Sequence, residues 1–170
     1  DMKKLNMRNI ILTLSLIITT ISYSQKIEIN SNGLYINSNK ISKQVDPSLI
    51  EDILGTPDRI SLKFNTIWTY DKLGIRVYIE PNSGKVTSIS LDFVKEDYDF
   101  SPKNPFSGEM KIYKYYISSM SPFVSVKQIP ELRFESSPFP VYKASTKKLK
   151  LIFQYLESIN RLEALGISFY

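Results

Sequence analysis

The sequence predicts an α+β fold: two tandem copies of a short helix packed on an antiparallel sheet, following a cleaved N-terminal signal peptide. Three observations lead there. Apolar residues alternate along most of the chain, as half-buried strands require. One segment, Asp46 to Pro57, carries helix start and stop signals instead. A single ungapped shift of 76 positions then superposes the apolar phase of one half on the other.

The chain opens with Lys3, Lys4 and Arg8, followed by an uncharged run from Ile10 to Ile21. That run is shorter than the ~20 residues a spanning helix needs. Ser22-Tyr23-Ser24 then places small residues where a signal peptidase reads, so residues 1–24 are expected to be removed. This predicts a periplasmic or secreted protein beginning at Gln25, with no stable membrane insertion after cleavage.

Strands are expected where Lys26-Ile27-Glu28-Ile29 alternates, and again at Ile60, Leu62 and Phe64. Ile75, Val77 and Ile79 alternate in turn, then Ile89, Leu91 and Phe93. Pro81-Asn82-Ser83-Gly84 supplies a hairpin turn between the last two runs. In the helical segment Asp46 can cap, Pro47 suits the first position, and Leu49, Ile50, Ile53 and Leu54 share a face. Gly55 and Pro57 end it.

The shift places Ile36 on Ile112, Ile53 on Ile129, Ile75 on Leu151, Val77 on Phe153, Ile89 on Leu165 and Leu91 on Ile167. Residues 34–93 and 110–169 therefore read as two copies of one unit. Ser121-Pro122 is expected to open the second helix and Pro130 to end it. The domain reading is a first repeat over 25–93, a linker over 94–109 broken by Pro102, Pro105 and Gly108, and a second repeat over 110–170.

Composition narrows the chemistry. The chain has no His and no Cys, which excludes Ser-His-Asp and Cys-His catalysis, disulfides, and zinc sites built on those residues. Its six glycines form no phosphate-binding loop. Glu51 and Asp52 are adjacent on a helix and point apart, so they make no acid–base pair. The acidic run Glu96-Asp97-Tyr98-Asp99 lacks the glycine and spacing of a calcium loop. The expectation is a non-enzyme without cofactor or metal. The net charge of +5 includes no block dense enough for nucleic acid, and Lys147-Lys148-Leu149-Lys150 reads as a solvated strand start.

A binding role remains. Odd-numbered strand residues should face the helix. The opposite face carries Arg76, Tyr78, Ser88, Ser90 and Asp92 in the first copy, and Ile152, Gln154, Ala164, Gly166 and Ser168 in the second. Such a face, small with a few large residues, can receive a protein. Tyrosines cluster at the joint between copies, and tyrosine suits binding surfaces. The partner-binding candidates are Arg76, Tyr78, Tyr98, Tyr113, Tyr115 and Gln154. Trp68 is expected to pack in the core or between helix and sheet, and Asp71 to serve the turn before Leu73-Gly74.

DPSLIEDILGTPDRI, IWTY and LGIRVYIEPNSGKVTSISLDF resemble the helix-plus-sheet modules of the β-lactamase inhibitor protein and of BamE-type outer-membrane assembly proteins. Two units in tandem resemble the inhibitor's plan, which implies a concave sheet gripping another protein. BamE-type proteins are similar in one copy and carry a lipidated cysteine that this chain lacks. NTIWTYDKLGI and SPKNPFSGEMKI also resemble an uncharacterised bacterial family found near polymorphic toxin and immunity genes. The resemblances imply an exported module that neutralises a toxin or enzyme, with a structural envelope-assembly factor as the alternative.

Overall fold

The computed structural model describes residues 24–62, 65–137, 140–156 and 160–170. The expected signal peptide lies, apart from Ser24, outside those residues. Among the described residues 46% are in strands and 9% in helices. The expected α+β fold of two helix-on-sheet repeats is therefore corrected to a mostly-β fold built on two large sheets.

The five-stranded sheet contains β1 (Lys26–Asn30), β2 (Gly33–Ile36), β3 (Asn39–Ile41), β8 (Glu109–Ile112) and β9 (Tyr115–Ile117), in the order β3-β2-β1-β8-β9. The eight-stranded sheet contains β4 (Arg59–Leu62), β5 (Thr66–Tyr70), β6 (Ile75–Ile79), β7 (Val86–Asp92), β10 (Arg133–Phe134), β11 (Val141–Ser145), β12 (Leu149–Leu156) and β13 (Arg161–Phe169). Its order is β10-β11-β12-β13-β7-β6-β5-β4. The two described helices are α1 (Pro47–Leu54) and α2 (Phe123–Lys127).

The correction has a physical cause. Strand edges carry unpaired N–H and C=O groups that seek partners. The free edges of β7 and β13 pair with each other, with Leu91 opposite Leu165, Ser90 opposite Gly166 and Ile89 opposite Ile167. Ser90 and Gly166 are themselves 76 positions apart, so this pair lies at the centre of a sheet whose strand order reads symmetrically outward. In the other sheet β1 inserts between β2 and β8, antiparallel to the first and parallel to the second. Both sheets thus take strands from both halves of the chain. Helices of eight and five residues cannot cover such sheets, and each buries one side chain, Ile50 and Val126.

Local signals are realised with one change. Gly84 takes φ 64° in the β6–β7 turn and donates its N–H to the Glu80 carbonyl. Pro47 begins α1 and Gly55, at φ 85°, ends it. Asp46, however, makes no side-chain cap. Its carboxylate pairs with Lys85 Nζ at 2.5 Å, tying the helix start to the β6–β7 turn.

One apolar cluster links both sheets and both helices. Ile75, Val77, Ile89 and Leu91 from one half, and Leu151, Phe153, Leu165 and Ile167 from the other, have no exposed surface. Phe123, Phe134, Tyr142 and Tyr155 extend this core at the β10 end through ring contacts. Trp68 packs against the same cluster, partly buried.

Candidate functional site

The outer face of the eight-stranded sheet carries even-numbered residues in β6, β7, β12 and β13, such as Arg76, Ser90, Ile152 and Gly166, and odd-numbered ones in β5 and β11, such as Thr69 and Lys143, and its two halves differ. In the β4–β7 half the face is covered. Arg76 on β6 and Asp92 on the adjacent β7, two residues along from Ser90, which lies opposite Arg76, are 7% and 3% exposed. Arg76 Nη2 donates to Asp92 Oδ1 at 2.6 Å, and the Ser90 hydroxyl donates to the same oxygen at 3.0 Å. The rings of Tyr78, Tyr98 and Phe100 lie 5.9, 5.4 and 5.7 Å from the guanidinium carbon. A buried guanidinium is tolerable because an ion pair and aromatic faces replace its water. Burial works against the Arg76 cation, yet Asp92 outweighs it and holds the charge. Burial also pushes the Asp92 carboxyl up, against the pull of Arg76 and Ser90. Arg76 Nε and Asp92 Oδ2 have no hydrogen-bond partner among the described residues.

The cover is the segment 94–109, which lies on the sheet as a strap. Asp71, in the turn after β5, fastens it. Its Oδ1 accepts from Arg59 Nη2 at 2.6 Å and from the Lys103 N–H at 3.0 Å, and its Oδ2 accepts from Arg59 Nε at 2.9 Å. The Asp71 carbonyl accepts from the Asn104 N–H, while Arg59 Nη2 also donates to the Ser101 carbonyl. The hydrogen bond from Arg59 holds the Asp71 carboxyl below the usual carboxylate range, against its burial. The expectation that Asp71 serves only its own turn is too small a role. No local pattern shows it, because Arg59 and Lys103 are remote in sequence.

In the β12–β13 half the outer face is open. Ile152 stands 40% exposed opposite Gly166, and Ala164, Gly166 and Ser168 leave a shallow floor beside it. Gln154 Nε2 donates to Glu163 Oε2 at 2.8 Å. Burial raises the Glu163 carboxyl, and its hydrogen bond with Glu96 of the strap raises it further. Burial raises the Tyr98 phenol, as does its hydrogen bond with Glu96. Tyr98, Glu96, Glu163 and Gln154 therefore form a chain of polar contacts across the boundary between the covered and open halves.

Of the six candidate residues, the structure brings Arg76, Tyr78 and Tyr98 into one cluster and links Gln154 to it through Glu163 and Glu96. Arg76 is enclosed, whereas Tyr98 is 38% exposed. Tyr113 and Tyr115 lie apart, on the β8–β9 hairpin of the other sheet. Tyr113 occupies the left-handed region at φ 54°, as Asn37 does at φ 48° in the β2–β3 turn. A bulky residue there is uncommon, and such positions are often retained for function. On the hairpin Tyr116 is 67% exposed, and beyond it Met120 and Val124 are 76% and 60% exposed. The tyrosine cluster of the sequence includes Tyr116, but nothing in it points to Met120 and Val124, since alternation does not report which apolar residues stay uncovered. Among the described residues no group of acidic side chains is placed to hold a metal ion. No described helix is long and apolar enough to cross a membrane.

Residues 26–127, more than half of the chain, match the family described as Domain of unknown function (DUF7738). The chain belongs to this family. Comparison with curated proteins finds no match. Among solved structures, an extracellular protein containing a SCP domain from Bacillus anthracis str. Ames is similar at 12% identity and a TM-score of 0.47. The similarity covers 74% of this chain and 43% of that one, so this chain spans less than half the length of that protein.

Proposed function

We propose that this DUF7738-family chain is an exported protein-binding module that neutralises a partner protein, a toxin or an enzyme. One observation carries the reading: the eight-stranded sheet has an outer face capped on one half and uncovered on the other. The uncovered half offers Ile152, 40% exposed, above a floor of small residues, with Tyr98 at its border, also partly exposed at 38%. Aromatic and apolar anchors beside small residues, on a rigid sheet, suit a protein partner. The buried Arg76–Asp92 pair then acts indirectly, by positioning the strap that presents Tyr98. Export rests on the charged start, short apolar run and small-residue cleavage pattern of the first 24 residues. The resemblance to the β-lactamase inhibitor protein and to a family near toxin and immunity genes points the same way.

The test is affinity capture with the tagged full-length chain from lysate and medium of the source bacterium, read by mass spectrometry. Recovery of one exported toxin or enzyme at near-equal stoichiometry supports the reading. Replacing both Tyr98 and Ile152 by Ala should then weaken that complex by about 30-fold or more. Full affinity in the double variant places the contact elsewhere. Recovery of outer-membrane assembly components instead refutes neutralisation and favours the envelope factor.

A further inference from the structure

A cleft opens where ends of the two sheets meet, away from the outer face. The β1–β2 turn and β3 form one wall, and the β11–β12 turn and the end of β13 form the other. Its volume is about 310 Å³, at the lower end of the range for small-ligand sites. Phe169, partly buried, and Tyr170, 47% exposed, supply the accessible apolar surface, over Ile41 and Leu149, which are each 1% exposed and back it from beneath.

The rim is basic. Lys40 and Lys43 stand on one wall, and Lys147 and Lys148 on the other. No Asp or Glu side chain lines the cleft among the described residues. The basic run that reads as a solvated strand start thus faces two further lysines that are distant in sequence. Lys148 Nζ donates to the Asn32 carbonyl at 3.1 Å, which ties the walls together without neutralising the charge. Elsewhere Lys26 pairs with Glu109, Lys85 with Asp46 and Lys103 with Asp71. None of the four cleft lysines forms an ion pair among the described residues.

Convergent like charges above an apolar surface select for two properties at once. A bare anion gains from the lysines and nothing from the floor. A neutral apolar molecule gains from the floor and leaves the lysines uncompensated. We propose that this cleft binds a soluble amphipathic anion, a carboxylate attached to one short alkyl or aryl body. The carboxylate sits between the lysine pairs and the apolar body lies on Phe169 and Tyr170. A cleft of about 310 Å³ accommodates one short chain, not the two long chains of a phospholipid.

Isothermal titration of the full untagged chain with decanoate, kept below its micelle concentration at low salt, tests this. The expected result is saturable one-to-one binding that weakens as salt is raised. 1-Decanol and inorganic phosphate should each bind at least about tenfold more weakly than decanoate. Lys40→Gln with Lys147→Gln should lose about tenfold in decanoate affinity. Both lysines are exposed, so circular dichroism should show the fold intact, and Lys43→Gln with Lys148→Gln provides an independent pair. Unchanged decanoate affinity in both pairs overturns the proposal. So does phosphate binding as tight as decanoate, or binding to phosphatidylglycerol vesicles without binding to free decanoate.

Discussion

Replacing Asp71 by Asn should loosen the strap from the sheet at a cost of about 2 kcal/mol. The side chain is 6% exposed and its two oxygens accept three hydrogen bonds, two from Arg59 and one from the Lys103 N–H. Asn keeps the shape and one acceptor oxygen, which can retain the bonds from Arg59 Nη2 and Lys103. Its NH2 group then confronts the Arg59 Nε–H, donor against donor. One charge-assisted bond is lost, a loss of about 1.5–3 kcal/mol. The Arg59 side chain is 32% exposed and can turn partly to water, which holds the loss below the 3–5 kcal/mol of a fully buried pair. For a chain of this size the melting temperature should fall by about 4–8 °C. The pH dependence supplies a control. The folded-state pKa of Asp71 is depressed, so its stabilisation is present above the ordinary carboxylate value of about 3.9 and is lost as pH falls through the lower folded value. Urea unfolding of both proteins should show a gap at neutral pH that closes on acidification. A gap under about 0.5 kcal/mol at neutral pH, or one that persists unchanged in acid, refutes the role assigned to Asp71.

Other perturbations give distinct signatures. Gly74 has φ 68°, and a Cβ there would collide with the backbone of Pro105 and Phe106, so Gly74→Ala should cost about 3 kcal/mol or more by urea unfolding. Phe153 is fully buried, and truncation to Ala should cost about 3–5 kcal/mol by the same measure. Glu163 titrates above its ordinary value in the folded state, so the fold loses stability as pH rises from the ordinary carboxylate range through that raised value. Glu163→Gln should remove this loss. Its stability advantage over the parent should grow with pH across that window and stay constant above it, and a flat difference argues against the raised titration of Glu163.

Much of the strand architecture was legible in the sequence, and particular residues show why. Ile75, Val77, Ile79, Ile89 and Leu91, and likewise Leu151, Phe153, Tyr155, Leu165 and Ile167, are buried because a strand turns alternate side chains to one face, whatever lies beside it. The Pro81–Gly84 turn and the Pro47–Gly55 helix boundaries follow from backbone preferences of proline and glycine. The balance of sheet and helix was misjudged because α1 was given a sheet to cover, whereas β7 and β13 joined edges. The candidate site was legible in part. Arg76, Tyr78 and Tyr98 do meet, but nothing local told that the strap would enclose Arg76 while leaving Ile152 uncovered.

By itself, then, the sequence determined which residues face inward, where hairpins turn, where the longer helix begins and ends, and which catalytic chemistries lack their residues. Those properties depend on periods of two or four residues and on the φ angles that single residues allow. Only the tertiary structure decided the β7–β13 seam, the insertion of β1 between β2 and β8, the Asp71 fastening and the meeting of two lysine pairs at one cleft. Each of these joins groups far apart in the chain. Their selection rests on which edges and charges find partners once the core has formed, and no local period encodes that choice.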